Sequence, residues 1–261
     1  MEHLREAILA MRNLIGSQGD ELEIQAEVIR RLTKDNQTLV EENVKLRTRA
    51  GSPLTIYPRP DWLCAVIVAG GPSFSDSQAK EVIVARALGK CRVIVVNDSW
   101  RRVPNADLLY ACDGKWWKMH HVAAQLGFPG ELWTQDVAAA EHYGLSWVKV
   151  DPIASGLSVR RDLLHGGGNS GYQAINLAYL FGAKEIVLVG FDYKTSGGKS
   201  HWFGEHPPEL RTNMPYGTWV LRFRDLAKDL QRLGVKMVNC SPDSALDFVE
   251  VSTLTEEFGD V

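Results

Sequence analysis

Two histidines in one polar loop are the residues best suited to acid–base chemistry. The loop, KTSGGKSHWFGEHPP, carries His201 and His206, and imidazole titrates near neutral pH. Either ring could take a proton from a hydroxyl group, although a histidine in a loop can equally be a surface residue. Trp202 follows His201, and we expect its ring to contact an acceptor molecule or to belong to a lid.

Polar residues also follow two strand-like segments earlier in the chain. Asp113 comes after ADLLYAC and could be a catalytic carboxylate, or it could cap the helix predicted for KWWKMHHVAAQL. Asn97 and Asp98 come after CRVIVV. The Asn97 amide offers a donor and an acceptor that could bind a base or a ribose, or it could form an Asx turn.

A glycine-containing turn, AGGPSF, follows the first strand-like segment. Gly70 and Gly71 allow a close backbone approach, and Ser73 could cap the next helix. Exposed amides at a helix start bind phosphate groups, although an ordinary strand-to-helix turn has the same composition. The turn matches neither GxGxxG nor GxxxxGK[ST], which disfavours dinucleotide binding and P-loop hydrolysis.

The segment HGGGNSGYQAI, residues 165–175, precedes an apolar helix-like run. Its glycines could bind a phosphate or could simply let a helix begin. Ser170 is a plausible N-cap, which would leave the amides of Gly171 and Tyr172 free. The segment is therefore compatible with both functions.

Elements of two kinds must hold these residues in place. From residue 61 onward, short β-branched segments alternate with helix-like segments, a pattern typical of a parallel sheet covered by helices on both faces. We predict an α/β, Rossmann-like domain over residues 61–261. Ligands of such sheets bind beyond the carboxyl ends of the strands, where all these motifs lie.

Residues 1–50 have the pattern of a coiled coil. Alternate steps of three and four residues from Leu4 to Leu46 give thirteen seam positions, nine of them apolar. Asn36 and Asn43 fall at a positions, which favours a parallel homodimer through residues 4–46. A solitary amphipathic helix is the alternative. Residues 51–60, with three prolines, are predicted to be a linker.

Composition narrows the class of protein. The formal net charge is −3, so neither nucleic acid nor an anionic membrane is expected as the main partner. The apolar run LCAVIVA is far shorter than the roughly 20 residues of a membrane span, and no secretion leader opens the chain, so we expect a cytoplasmic protein. The chain contains no DxD motif and no Cys/His cluster with ligand spacing, so neither a metal nor a cofactor is required.

Five motifs in a fixed order resemble a known superfamily. The chain resembles the bacterial sialyltransferases that use CMP-sialic acid, the related motility-accessory-factor glycosyltransferases and the archaeal-type 6-hydroxymethylpterin diphosphokinases, and similar reading frames occur in phages and prophages. The resemblance covers residues 62–248, and its most specific part is the fourth motif. The motifs are VIVAGGPSF, VIVVNDSW, ADLLYACD, GGNSGYQAINLAYLFGAKEIVLVGFDYK and GVKMVNCSPDSAL.

The resemblance implies a nucleotide-sugar donor site. In the sialyltransferases, the glycine turn and the Asn after the second strand hold the nucleotide, and the Ser-Gly before the long helix lies against the donor. The matching residues, with their neighbours in the same motifs, are Gly70, Gly71, Pro72, Ser73, Asn97, Asp98, Gly168, Asn169, Ser170, Gly171, Asp192, Tyr193 and Lys194.

The resemblance also implies metal-independent catalysis with a histidine base. The motility-factor relatives carry a His soon after the equivalent of GFDY, which favours His201 over His206. Lys194 stands where the sialyltransferases have a phosphate-binding Tyr, with Tyr193 beside it. Since an ammonium group can neutralise a phosphate, we expect that function to persist with a different donor, for which another CMP-linked sugar is one option.

Three functions remain open from the sequence. The first is a glycosyltransferase that moves a sugar from a nucleotide donor to an unidentified acceptor. The second is a non-enzymatic phage assembly or host-interaction protein on a nucleotide-binding fold, since a fold does not imply an activity. The third is a pterin diphosphokinase-type transferase, which would use ATP and a divalent ion.

Overall fold

The computed structural model describes residues 53–211 and 214–259. The predicted coiled coil over residues 1–50 lies outside these residues, as do the first two residues of the predicted linker. The rest of that segment, residues 53–60, packs on the domain. Ile56 is 1% exposed, its amide donates to the Arg161 carbonyl at 2.6 Å, and the Arg59 amide donates to the Phe181 carbonyl at 2.6 Å.

Eight parallel strands form the main sheet. Each core strand is a short β-branched run that is buried on both faces, as continuous apolar segments require. The strands are β1 (Cys64–Val68), β2 (Arg92–Val96), β3 (Leu108–Tyr110), β4 (Glu131–Thr134), β5 (Ser146–Trp147), β8 (Glu185–Val189), β9 (Lys236–Asn239) and β10 (Glu250–Val251). Their order across the sheet is β10-β9-β8-β1-β2-β3-β4-β5. The predicted α/β class and parallel sheet are confirmed.

The predicted strand LSWVKV is divided between two sheets. Its first part is β5, at the edge of the main sheet, while its second part is β6 (Val150–Asp151). Strand β6 pairs in parallel with β7 (Leu164–His165) in a separate two-stranded sheet. This small sheet leads directly into the glycine segment that begins at Gly166.

Helices cover both faces of the main sheet. One face packs against α4 (Ser170–Phe181) and α5 (Tyr216–Arg232), whose buried residues include Tyr172 and Phe223. The other face packs against α1 (Asp76–Ala87), α2 (Gly114–Gly127), α3 (Val137–Tyr143) and α6 (Leu254–Phe258). The predicted three-layer packing is therefore present. Among the described residues, every helix is too short or too polar to cross a bilayer.

The strand order reverses between β1 and β8. From β1 the chain moves outward through β2, β3, β4 and β5, then returns to the other side of β1 at β8. The loops after β1 and β8 therefore separate at the carboxyl edge of the sheet and leave a crevice, which is where open α/β sheets bind ligands.

Two helix caps differ from the predicted ones. Helix α1 is capped by Ser75 in a capping box with Gln78, and not by Ser73. Helix α4 is capped by Asn169, whose side chain accepts from the Tyr172 amide at 3.0 Å, and not by Ser170. In both cases a neighbouring Ser or Asn competes for the cap, and tertiary contacts of the predicted residue decide between them.

Candidate functional site

A cleft of about 750 Å³ lies at the crevice between β1 and β8. Most of the predicted site residues line it, although they come from six separate segments of the chain. Those on its lining are Gly70, Gly71, Pro72, Asn97, Asp98, Asp113, Gly168, Asn169, Ser170, Gly171, Asp192, Tyr193, Lys194, His201 and His206. Ser73 and Trp202 are not on it.

The turn after β1 is tied to the end of β8. The Asp192 carboxylate accepts from the Ser73 amide at 3.1 Å and from the Ser73 hydroxyl at 2.9 Å, which is why Ser73 does not cap α1. The Gly71 amide donates to the Gly190 carbonyl at 2.9 Å. A Cβ on Gly71 would lie 1.9 Å from an Asp192 carboxylate oxygen, so the approach requires glycine.

Asp192 is a buried carboxylate at this junction. It is 2% exposed, and burial raises its pKa from the ordinary 3.8 to about 6, against the lowering effect of its hydrogen bonds from Ser73. Both of its oxygens are occupied by Ser73. We therefore assign Asp192 to holding the turn, and its contact with a donor stays a prediction.

The N-terminus of α4 presents free amides to the cleft. The Ser170 hydroxyl accepts from the Cys112 amide at 3.0 Å and so joins α4 to the end of β3. The amides of Ser170 and Gly171 donate to no group in the described part of the chain. Because these amides carry the positive end of the helix dipole, the position is electrostatically suited to an anion.

The two polar atoms of the Asn169 side-chain amide differ, since one has hydrogen-bond partners and the other has none. Its Oδ1 accepts from the Tyr172 amide and from the Tyr193 hydroxyl at 3.1 Å. Its Nδ2 is buried and has no partner among the described residues. A buried amide donor without a partner costs free energy, so its position on the cleft lining indicates where a ligand oxygen would bind.

The glycine segment before α4 brings α5 to the cleft. Gly167 and Gly168 have φ values of 60° and 96°, which only glycine adopts easily. A Cβ on Gly168 would lie 2.6 Å from the Trp219 indole nitrogen, at the start of α5. Trp219 and Tyr216 line the cleft through this approach, and the sequence pattern gives no sign of it.

Asn97 is strained and has a free side-chain oxygen. Its φ of 49° lies in the left-handed region, and its Oδ1 is buried without a partner among the described residues. It therefore does not form the alternative Asx turn. The neighbouring Asp98 is 7% exposed and is fully engaged, accepting from Arg101 and from the Trp116 indole at 3.0 Å each.

His201 and His206 meet over the cleft. Their ring centroids are 4.5 Å apart, and Phe203 stacks on His201 with centroids 4.9 Å apart and an angle of 10° between the planes. Burial lowers the pKa of both imidazoles, and the charge of His206 lowers that of His201 further. The Nδ1 atom of His201 is buried and has no partner among the described residues. Both rings are therefore held neutral near pH 7.

Asp113 occupies the N-cap position of α2 without performing a cap. Its side chain makes no hydrogen bond to the helix, and it is exposed on the cleft lining. After the larger effect of burial, which lowers the pKa of His206, the charges of Asp98, Glu205 and Asp113 raise it. Asp113 is thus an exposed carboxylate within electrostatic reach of one histidine.

The two lysines on the lining differ in availability. Lys194, predicted to neutralise a phosphate, forms an ion pair with Asp243. Lys115, in the first turn of α2, is exposed and makes no ion pair with any described residue. No motif in the sequence marks Lys115, and its position two residues after Asp113 is the only signal of it.

Trp202 lies behind the cleft. Its ring packs edge-on against Phe74, with centroids 6.3 Å apart, and its amide donates to the Gly70 carbonyl at 3.1 Å. The structure therefore gives no position for the predicted contact between Trp202 and an acceptor molecule. Burial explains the difference, since a large ring beside an apolar core gains more by packing than by facing solvent.

Metal donors are not clustered in the part of the chain that the structure describes: no group of three or more His, Cys, Asp or Glu side chains is arranged to hold an ion. No protein-family model matches the chain, and no curated protein matches it either. The site must therefore be interpreted from its own geometry.

Proposed function

We propose that this cleft binds a nucleotide-activated sugar and transfers the sugar to a hydroxyl acceptor, without a metal ion and with a histidine as general base. The observation that carries the proposal is the coincidence of two features on one cleft. Unpartnered amides at the start of α4 lie on the same lining as two neutral, mutually packed histidines. The first feature suits a phosphate and the second suits proton abstraction.

The phosphate of the donor is assigned to the start of α4. The amides of Ser170 and Gly171 and the free Nδ2 of Asn169 are donors within one turn of chain. Lys115 supplies a positive charge at the start of α2. These donors would stabilise the charge that develops on the leaving phosphate during transfer.

The nucleoside is assigned to the carboxyl ends of β1 and β2, where the glycine turn and Asn97 lie. The turn at Gly70 and Gly71 leaves backbone exposed on the lining, and Asn97 contributes a buried oxygen that lacks a donor. A base amino group or a ribose hydroxyl would satisfy that oxygen. The strained φ of Asn97 supports this assignment, because strained residues concentrate at ligand sites.

His201 is the proposed base. As the acceptor oxygen bonds to the anomeric carbon, its proton moves to the imidazole, and the bond between that carbon and the phosphate oxygen breaks with its electron pair leaving on the nucleotide. A base must be unprotonated, and burial together with His206 lowers the pKa of His201. Proton transfer by a positioned side chain typically contributes about 10²–10⁴-fold to a rate.

The charge of the lining favours an uncharged or amine-bearing sugar. Among the described residues, six carboxylates and three cations line the cleft, and one of the cations, Lys194, is paired with Asp243. An acidic sugar would add a further negative charge there. The test is to incubate the protein with neutral, amino and acidic nucleotide sugars and simple glycoside acceptors, and to measure nucleotide release. If nucleotides bind but no donor releases its nucleotide, the protein is a nucleotide-binding protein and not a transferase.

A further inference from the structure

The loop that carries both histidines has few ties to the rest of the domain. This histidine loop, residues 195–207, contains glycines with positive φ at positions 197, 198 and 204. Its internal bonds close two small turns, one between Ser196 and Lys199 and one between His201 and Gly204. Both turns are closed by bonds within the loop, so the position of His201 depends on the contacts that attach the loop to the rest of the domain.

Trp202 makes one such attachment, in addition to the side-chain hydrogen bond between Tyr216 and Ser200. Its amide donates to the Gly70 carbonyl at 3.1 Å, which joins the histidine loop to the turn after β1. Its ring contacts the guanidinium of Arg102 and packs at right angles to the ring of Phe74. As a result, the ring of His201 comes close to Gly70, where a Cβ would lie 3.3 Å from the His201 Cδ2.

Arg102 is itself held rigidly. Its Nε lies 2.9 Å from an Asp76 carboxylate oxygen, and its Nη1 donates to the Phe74 carbonyl. Its Cζ is 3.9 Å from the centroid of the Trp202 ring, the distance of a close stacking contact. The guanidinium therefore presents a fixed planar face, and the Trp202 ring rests on it.

We propose that Arg102 and Trp202 together are positioning residues, which hold the histidine loop closed and place His201 at the reacting end of the cleft. The part of this inference that concerns turnover rests on the proposed function. The part that concerns the loop does not, because the stack is independent of what the cleft binds. Misplacing a catalytic group by about 1 Å can cost about 100-fold in rate, so the stack matters for turnover more than for nucleotide affinity.

The experiment compares four variants of the full chain. Trp202→Ala removes the ring, and Trp202→Phe retains an aromatic face. Arg102→Met removes the guanidinium and leaves the sequence of the histidine loop unchanged. Arg224→Met is the matched control, because Arg224 also stacks on an aromatic ring, that of Phe248 at 4.5 Å, on the opposite side of the sheet from Arg102.

Hydrogen–deuterium exchange of peptides within residues 195–207 is the first readout. We expect exchange about ten-fold faster in Trp202→Ala and Arg102→Met, and wild-type exchange in Arg224→Met. Trp202→Phe should restore most of the protection. Wild-type exchange in Arg102→Met and Trp202→Ala would overturn the proposal, and Arg102→Met alone decides the matter should Trp202→Ala fail to fold.

NMR titration of His201 is the second readout. In the wild type the pKa lies below 6.5, and in Trp202→Ala it should move up toward that value as the ring becomes solvated.

The third readout compares the effect of each variant on nucleotide affinity with its effect on the rate of transfer. Nucleotide affinity should stay within about two-fold while transfer falls by about 100-fold. An equal loss of affinity and rate would contradict a positioning function, whereas a wild type without transfer would refute the proposed function only.

Discussion

The imidazole rings of His201 and His206 lie edge to face, with centroids 4.5 Å apart and planes inclined at 62°. At this distance a proton on one ring opposes a proton on the other. Burial lowers the pKa of both, and His206 lowers that of His201 further. The pair is therefore neutral at pH 7, the state that a general base requires.

Replacing His206 should move the acid limb of the activity profile. In His206→Gln the neighbouring charge is gone, so the pKa of His201 rises and the loss of activity on acidification begins at a higher pH. Rate against pH between 5 and 8 measures this shift. His201→Gln should instead lower the rate by about 10²–10⁴-fold at pH 7–8, where the wild-type base is unprotonated, and should remove the acid limb. If the two variants exchange these behaviours, His206 is the base.

Asn169 should matter for both the helix and the ligand. Asn169→Ala removes the cap of α4, which costs about 1 kcal/mol of unfolding free energy, and it removes the unpartnered Nδ2 from the cleft. We expect nucleotide affinity to fall about ten-fold or more by calorimetry.

Ser75→Ala is the matched control for Asn169. It removes the cap of α1, which is not on the cleft, at a similar cost of about 1 kcal/mol. Nucleotide affinity should not change in this variant. An equal loss of affinity in both variants would show that the effect of Asn169 on binding is only one of stability.

Gly71→Ala should disrupt the turn after β1. The new Cβ would lie 1.9 Å from the Asp192 carboxylate and 2.4 Å from the Gly190 carbonyl, so either the turn or the end of β8 must move. We expect unfolding free energy to fall by about 1–3 kcal/mol, measured by urea denaturation, and nucleotide binding to be lost.

Gly217→Ala provides the comparison for Gly71. No atom lies within 4 Å of a Cβ there, and the residue is inside α5, where Ala is favoured over Gly by about 1 kcal/mol. Stability should stay constant or rise slightly. If Gly71→Ala behaves in the same way, the turn is looser than the structure shows.

Asp192 should make stability depend on pH. Its folded pKa of about 6 lies above the ordinary 3.8, so folding takes up a proton between these values. Unfolding free energy contributed by this group is therefore present below about pH 4 and lost as pH rises through 6, by up to about 3 kcal/mol. In Asp192→Asn this loss is absent. Urea denaturation of both proteins at pH 4.5 and 7.5 measures the unfolding free energy of Asp192→Asn minus that of the wild type. This quantity should increase with pH. If it is constant, Asp192 titrates as an ordinary carboxylate.

The proximity of the motifs could be predicted because the carboxyl ends of parallel strands lie at the same edge of a sheet. Once β1, β2, β3 and β8 were expected in one parallel sheet, Gly70, Asn97, Asp113 and Asp192 had to lie near each other. Only the alternation of strand-like and helix-like segments is needed for that conclusion. That local pattern predicts the topology of the sheet, and the topology predicts the location of the cleft.

The partners of individual side chains could not be predicted in this way. Ser73 binds Asp192, which is 119 residues away, and Lys194 pairs with Asp243 across 49 residues. Such contacts depend on how loops pack, for which the sequence carries no periodic signal. The same reason explains why Trp202 looked like an acceptor contact, since its partner Arg102 lies on another segment.

The central claim is that the cleft binds a nucleotide, and a melting-temperature screen of the purified protein tests it most directly. Each of CMP, UDP, GDP and ADP, with their sugar conjugates, is added at about 100 times an expected Kd. Binding should stabilise the protein by about 2.7 kcal/mol, which corresponds to a rise of about 5–10 °C for a domain of this size. Asn169→Ala, whose affinity is expected to be about ten-fold lower, should keep at most about half of the rise, because the stabilisation falls to about 1.4 kcal/mol, and Ser75→Ala should keep all of it. If no nucleotide raises the melting temperature of the wild type, the account of this cleft is wrong.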